Sequence, residues 1–553
     1  MFTETSLPFF ARGRAFSTRA RGIIAQYNAR RRAKVPRTRL HSAERAPVAR
    51  FAGRGFPRRI SNDETVYQDL RAFVDDLRNV GELHDITAPV DPRLEVTEIA
   101  DRCVKRAHAA PALLFHHVKG SPYPLLINAF ASERRMARAL GVAELDDLSV
   151  KVQRLVSLTQ PGSLMDKLGA LLKHGGMAAL FPRTVGSAPC QDVVLDQDAV
   201  DLTTLPVLTC WPQDGGPYVT LPLVFTKDPR SGAQNVGMYR MQVFDKRTTG
   251  MHWQRHKHGR EHQEASSADA RMPVAVCIGA DPATVYAGSA PLPAGFDEML
   301  LAGFLRGKSV PMVRCKTVDL KVPAEAEFVL EGYVDNAELR REGPFGDHTG
   351  VYSLADDYPV FHVTCLTRRR DPIYWTTIVG RPPMEDAWLG KATERLFLPL
   401  LRQLISEIVD YDFPVEGVFQ NLVIVSIRKR YPGHAKKVMY GLWGLGHMMM
   451  LTRNIVVVDD DVDVHDTSAV AWVTLNNVDA GRDLVLAPGP VDALDHAAPL
   501  PMLGTKLGVD ATRKTPAEGY AREWPPDIVM SAEVKQAVSG RWQEFGLGAY
   551  VSP

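Results

Sequence analysis

Cysteine is scarce in this chain: six in 553 residues, at 103, 190, 210, 277, 315 and 365, with no C-x-x-C pair. That excludes a disulfide scaffold and predicts reduced, mostly buried thiols in a cytoplasmic-type compartment. Long apolar runs are lacking as well. No stretch reaches the about 18 residues that span a bilayer, and residues 1–25 hold no apolar core of a secretory signal. The chain has no Walker A sequence, no G-x-S-x-G and no H-E-x-x-H. Gly441-Leu442-Trp443-Gly444-Leu445-Gly446 has the wrong glycine order for a dinucleotide loop and falls in a helical segment. Asp459-Asp460-Asp461-Val462-Asp463 has Val464 and Val470 where a calcium loop needs Gly and Glu, so it reads as an acidic strand end facing solvent. The usual nucleotide and hydrolase classes are excluded.

Acid is nearly absent from residues 1–59, where 15 Lys and Arg face only Glu4 and Glu44. The overall charge of +2 therefore conceals a basic tail on an acidic body. Such a tail suits a transit peptide, a nucleic-acid or anionic-membrane contact, or a solvated extension without function. The body has the composition of an ordinary soluble protein, 45% hydrophobic and 24% charged.

Order is expected to begin near Ser61, where Ser61-Asn62-Asp63-Glu64 has the form of a capping box. Val66, Leu70, Phe73, Val74 and Leu77 then recur at helical spacing, and Gly81 can end the helix. From about 190 to 370 the pattern has strand period, with β-rich runs at 219–227, 273–279, 310–320, 326–334 and 359–367. Asp228–Gly232 reads as a turn, and 236–245 with 251–256 as a hairpin around Lys246–Gly250. The last third alternates: a helix at 390–409, a strand at 420–428, a helix from about 434 and a strand at 454–458. That alternation favours a layered α/β unit. The expected division is a basic tail over 1–60, then domains over 61–187, 188–370 and 371–553.

Three polar segments stand out in the β-rich middle. The first runs from Asn235-Val236-Gly237-Met238-Tyr239-Arg240 through the hairpin to His252-Trp253-Gln254-Arg255-His256-Lys257-His258. Hairpin register would bring Asn235 near His256. Amide oxygen with imidazole suits Mg²⁺- or Mn²⁺-type coordination, and the basic residues suit a phosphate. The second is Ser289-Ala290-Pro291-Leu292-Pro293, followed by Glu298. The third, Glu342-Gly343-Pro344-Phe345-Gly346-Asp347-His348-Thr349-Gly350, sets two carboxylates five residues apart on a Gly/Pro-rigid loop. Taken singly, the first reads as a polar hairpin face, the second as a commonplace loop and the third as a glycine-rich turn with solvated acids.

Together and in order, the three segments resemble the UbiD family of prenylated-flavin-dependent decarboxylases. The resemblance runs from about 63 to about 525 and includes Leu208-Thr209-Cys210-Trp211-Pro212, Tyr431-Pro432-Gly433-His434-Ala435-Lys436 and Lys506-Leu507-Gly508-Val509-Asp510-Ala511-Thr512. It implies an α/β (α+β) chain: an N-terminal α/β domain, a central flavin-binding split β-barrel and a C-terminal α/β domain. It implies a metal, Mn²⁺ with K⁺ as the second cation to consider, on Asn235, His256 and Glu298, with His258 the alternative to His256. Prenylated FMN would meet Met238, Tyr239, Arg240, His252, Trp253, Gln254, Lys257, His258, Ser289, Pro291 and Lys506. Arg240, Glu342 and Asp347 match the Arg and two acids of the chemistry, and partial desolvation is expected to raise the pKa of the proton-giving acid.

The implied activity is decarboxylation of an aromatic acid, 4-hydroxy-3-polyprenylbenzoate of ubiquinone biosynthesis first. A menaquinone-pathway naphthoate or a small phenolic acid is the alternative. The implied partners are a flavin prenyltransferase and further copies of the chain, as homodimer or homohexamer. Peripheral membrane association follows if the substrate is polyprenylated, and no nucleic acid is expected. The reading of another class is a flavin- or nucleic-acid-binding protein working through its basic tail. Residues 1–59 lie outside the resemblance, so their deletion is expected to leave CO₂ release unchanged. A large loss of activity in the truncated protein would place the tail in folding or catalysis.

Overall fold

The computed structural model describes residues 67–106, 110–157, 178–253, 258–266, 271–292, 295–446 and 448–547. The expected capping box at 61–64 lies outside them, and the first described helix is Leu70–Asn79. Asp69 caps it, its side chain accepting from Ala72 N at 2.9 Å. The helix buries Leu70, Phe73, Val74 and Leu77, the face that the spacing predicts. It packs against a four-stranded sheet ordered Leu83–Ile86, Ala112–Phe115, Leu125–Ile127 and Tyr374–Trp375. The last of these comes from beyond the expected 370/371 boundary. Trp375 enters the first core beside Phe73 and Phe130, with ring centroids 6.3 and 4.9 Å away.

The central sheet has seven strands. Its path runs Thr248–Gly250, Asp356–Arg368, Phe328–Glu342, Arg271–Ile278, Leu223–Lys227, Gln234–Gly237, and Val193–Asp196 adds to Asp356–Arg368. Every described pairing in it is antiparallel. Among the described residues the path has two free ends, so the sheet does not close into a barrel. The turn at Asp228–Gly232 forms as expected, with Gly232 N donating to Asp228 O at 2.8 Å.

The expected hairpin is only partly a hairpin. Val243 bridges Thr249 and His252 N donates to Arg240 O, in one antiparallel register. Its legs, however, are taken by other strands: Gln234–Gly237 pairs with Leu223–Lys227, Met241–Gln242 with Tyr218–Val219, and Thr248–Gly250 with Asp356–Arg368. No strand forms over Met251–Trp253. Residues 238–240 are thereby left without a ladder, and their side chains are free to serve a site.

The C-terminal sheet is ordered Ile408–Asp412, Leu422–Ile427, Asn454–Asp459, Leu503–Asp510, Leu484–Pro490, parallel inside and antiparallel at both edges. Helix Asp386–Leu404 leads into it, and helix His434–Trp443 carries Gly441 as expected. The acids after Asn454–Asp459 meet Arg513, which donates its backbone N–H to Asp459 and its guanidinium to Asp461. Among the described residues no helix is long and apolar enough to cross a membrane.

Candidate active site

Three segments converge on one guanidinium. Strand Phe328–Glu342 ends on Glu342, which is fully buried. The following loop carries Asp347, 5% exposed. Gly343 begins that loop at φ +101°, where a Cβ would sit 2.9 Å from Ala355 Cα, so the sharp exit from the strand requires glycine. Arg240 comes from the segment without a ladder. Its Nε donates to Glu342 Oε1 at 3.1 Å, its Nη1 to Asp347 Oδ2, and its Nη2 to Ser353 Oγ at 3.0 Å. The guanidinium lies over the Phe345 ring, 4.5 Å from its centroid.

Both acids have a histidine partner as well. His252 Nδ1 donates to Glu342 Oε2 at 3.0 Å, and the ring packs on Tyr358. His348 donates its backbone N–H and its Nδ1 to Asp347 Oδ1, at 2.8 and 2.9 Å. These contacts overturn the expectation of a raised acid. Burial alone would raise both carboxyls. For Asp347, His348 and Arg240 outweigh it and hold the group well below the usual carboxylate range. For Glu342, His252 and Arg240 outweigh burial and lower the group. His252 itself is lowered, by burial and by Arg240, so it serves as a neutral donor.

The expected metal residues also approach one another. Glu298 opens helix Glu298–Arg306, and Val236 N donates to its Oε2 at 3.3 Å. Tyr239 interacts with both Asn235 and Glu298. The phenol fits because residue 237 is glycine: a Cβ there would lie 2.2 Å from the hydroxyl. Burial pushes Glu298 up to about 8. An amide oxygen and a buried carboxylate form a hard donor pair that suits Mg²⁺ or Mn²⁺. His256, Gln254 and Lys257 lie outside the described residues, as does the side chain of His258.

Alongside, Trp253 is 3% exposed and its Nε1 has no acceptor among the described residues. Glycine at 259 lets the chain pass close to that edge, since a Cβ there would lie 2.7 Å from Nε1. An orphaned buried donor of this kind fits a polar ring system bound against it. Ser289 turns its hydroxyl back to Tyr286 O at 2.7 Å, and Pro291 follows it half-buried. Lys506 lies buried in the C-terminal sheet, its ammonium donating to the carbonyls of Met450 and Thr452.

Sequence reasoning missed Ser353, Tyr358, His348 and Gln420. His348 carried a signal, its place directly after Asp347 on a rigid loop. Gln420, whose Oε1 accepts from His348 Nε2 at 3.1 Å, lies 72 residues away and carried none. A second cluster, Glu394, Asp412 and His465, has metal-like spacing but already contains the ammonium of Lys391.

The chain matches three domain models of 3-octaprenyl-4-hydroxybenzoate carboxy-lyase: the N-terminal domain over 74–155, the Rift-related domain over 183–382 and the C-terminal domain over 387–511. An uncharacterised protein of Archaeoglobus fulgidus is 52% identical over 484 residues, 87% of this chain and 98% of that protein. Vanillic acid decarboxylase of Sedimentibacter hydroxybenzoicus, in closed form, superposes with a TM-score of 0.76 at 27% identity, covering 87% of this chain and 99% of that one. The UbiD-class enzyme HmfF of Pelotomaculum thermopropionicum, in complex with FMN, superposes at 0.69 and 27%, covering 83% and 97%. With most of its length matched in domain order, the chain belongs to the UbiD family of carboxy-lyases.

Proposed function

We propose that this protein removes CO₂ from an aromatic carboxylic acid with the help of prenylated FMN. The observation that carries the reading is the buried Glu342–Arg240–Asp347 constellation. Losing CO₂ leaves an electron pair on a ring carbon that no side chain can absorb, and a bound prenylated flavin supplies the sink. The chain supplies the rest. Arg240 is a cation already shared by two anions, and a substrate carboxylate would arrive as a third. Its competition for the guanidinium loosens the hold on Asp347, so the acid becomes easier to protonate as the substrate binds. Asp347 then gives a proton to the carbon that lost CO₂, while Glu342, fixed by His252, keeps Arg240 in place. Asn235 and Glu298, with His256 or His258, would hold a divalent cation against the flavin phosphate. Met238, Tyr239, His252 and Trp253 would line the ring system.

For the substrate we favour 4-hydroxy-3-polyprenylbenzoate, which the family's own description supports. A small phenolic acid is the second reading, supported by the likeness to vanillic acid decarboxylase. A flavin prenyltransferase would supply the cofactor, and a homodimer or homohexamer would be the working form.

Co-expression with a flavin prenyltransferase tests this. The purified protein should show the modified flavin's absorbance and release CO₂ from one member of an aryl-acid panel that includes polyprenylated and plain hydroxybenzoates. Absence of bound flavin overturns the reading. Turnover only of the plain acids selects the phenolic alternative.

A further inference from the structure

Two histidines touch the constellation, and one of them reaches out of it. His348 has Asp347 at Nδ1 and Gln420 at Nε2, at 2.9 and 3.1 Å. Gln420 belongs to the turn before strand Leu422–Ile427, in the region matched by the C-terminal domain. The turn is unusual. Val418 and Phe419 are consecutive residues with side chains at positive φ, 42° and 65°. Such backbone persists only where its surroundings over-determine it. Here they do so on both sides. Phe419 packs on the His348 ring at 5.7 Å between centroids, and it fits against helix Asp386–Leu404 only because residue 390 is glycine. A Cβ at 390 would lie 2.5 Å from the Phe419 ring. Gln420 is itself 7% exposed.

The chemistry of the contacts sets the ring's charge. With a carboxylate oxygen at Nδ1 and the Gln420 amide oxygen turned to Nε2, both partners are acceptors, and in this arrangement both nitrogens carry hydrogen and the ring is an imidazolium. The charged groups facing it are Asp347 on its own loop, with Arg240 beyond, and Asp386 on helix Asp386–Leu404. The two acids, with Gln420, outweigh the cost of burial and lift His348 to about 9.

We propose that His348 is a positioning residue through which the C-terminal region aims Asp347 at Arg240 and resupplies it with a proton. The inference rests on the decarboxylase reading above. When CO₂ departs, the Nδ1 proton of His348 passes to Asp347, and Asp347 delivers one proton to the substrate carbon. His348 is left neutral and regains a proton from water. One proton is consumed for each CO₂ released.

Histidine-selective ¹⁵N NMR on the flavin-free full chain tests the charge without any turnover, the His348→Gln variant supplying the assignment. We expect His348 to remain doubly protonated to about pH 8. An ordinary titration near 6.5 overturns the proposal. So does a neutral ring with its lone pair at Nε2, which would mean a reversed Gln420 amide.

In the flavin-loaded enzyme, Gln420→Leu should lower the His348 midpoint, shift the pH profile of kcat with it and reduce kcat about a hundredfold with KM little changed. Gln420→Glu, which restores an acceptor, should recover most of that loss. Unchanged kcat and profile in Gln420→Leu overturn the proposal. If the wild-type chain binds flavin but decarboxylates nothing, the functional reading fails while the NMR result still decides the state of His348.

Discussion

Asp347→Asn is expected to keep the flavin and lose turnover. Asparagine preserves the volume of the side chain and an acceptor for the His348 backbone N–H, so the loop from Gly343 to Ser353 should hold its shape. What disappears is the group that can carry a proton to carbon. General acid catalysis contributes roughly 10²–10⁴-fold, and the loss of kcat should fall in that range. A second effect follows from the geometry. Asp347 is the nearer of the anions that support the His348 charge, so its neutral replacement should let His348 titrate lower. The check is CO₂ release at saturating substrate beside the absorbance of bound flavin. Retained flavin with wild-type turnover would remove Asp347 from proton delivery.

Arg240→Met has the largest expected effect on stability. The substitution keeps an unbranched side chain over Phe345 but leaves Glu342, fully buried, and Asp347, 6% exposed at its side chain, without their common cation. Breaking a buried pair by removing one partner costs about 3–5 kcal/mol, because the remaining charge stays desolvated. Two acids share the consequence here, partly offset by the hydrogen bonds from His252 and His348.

In the wild type both acids are depressed, so their pairing stabilises the fold above their unfolded pKa values and is lost as pH falls through the folded ones. In the variant the acids rise, and protonation at low pH relieves their burial. The difference in denaturation midpoint between the two proteins should therefore be widest at neutral pH and narrow on acidification. A constant gap would show that Arg240 contributes through packing alone. Activity should be abolished at every pH, since the guanidinium that would hold the substrate carboxylate is gone.

How much of this was legible in the residues can be argued from single cases. The face of helix Leu70–Asn79 was, because burial at 3.6 residues per turn leaves a pattern that needs no partner to be read. Its start was not. The hydroxyl at Ser61 and the carboxylate at Asp69 are both good caps, and local sequence does not rank them. The stretch Val236–Asp245 reads as one strand on β propensity. It breaks at 238–240 because its two halves pair with different neighbours, a choice made by strands far away in the chain. Lys506 sits in a stretch similar to the family's, yet its ammonium is taken by two carbonyls that only folding brings near.

The chain by itself determined its family, the candidates Arg240, Glu342 and Asp347 that the fold brings together, and the contrast between a basic tail and an acidic body. These are properties of residue type, order and spacing, and they survive without coordinates. Only the tertiary structure decided the protonation of those acids. A carboxyl on a glycine-rich loop is raised by burial or depressed by cations according to what stands within a few ångströms. The deciding groups, Arg240, His252 and His348, arrive from three parts of the fold. Tertiary structure also decided that Gln420 and Phe419 reach His348, because contacts between distant segments leave no periodic mark in a single sequence.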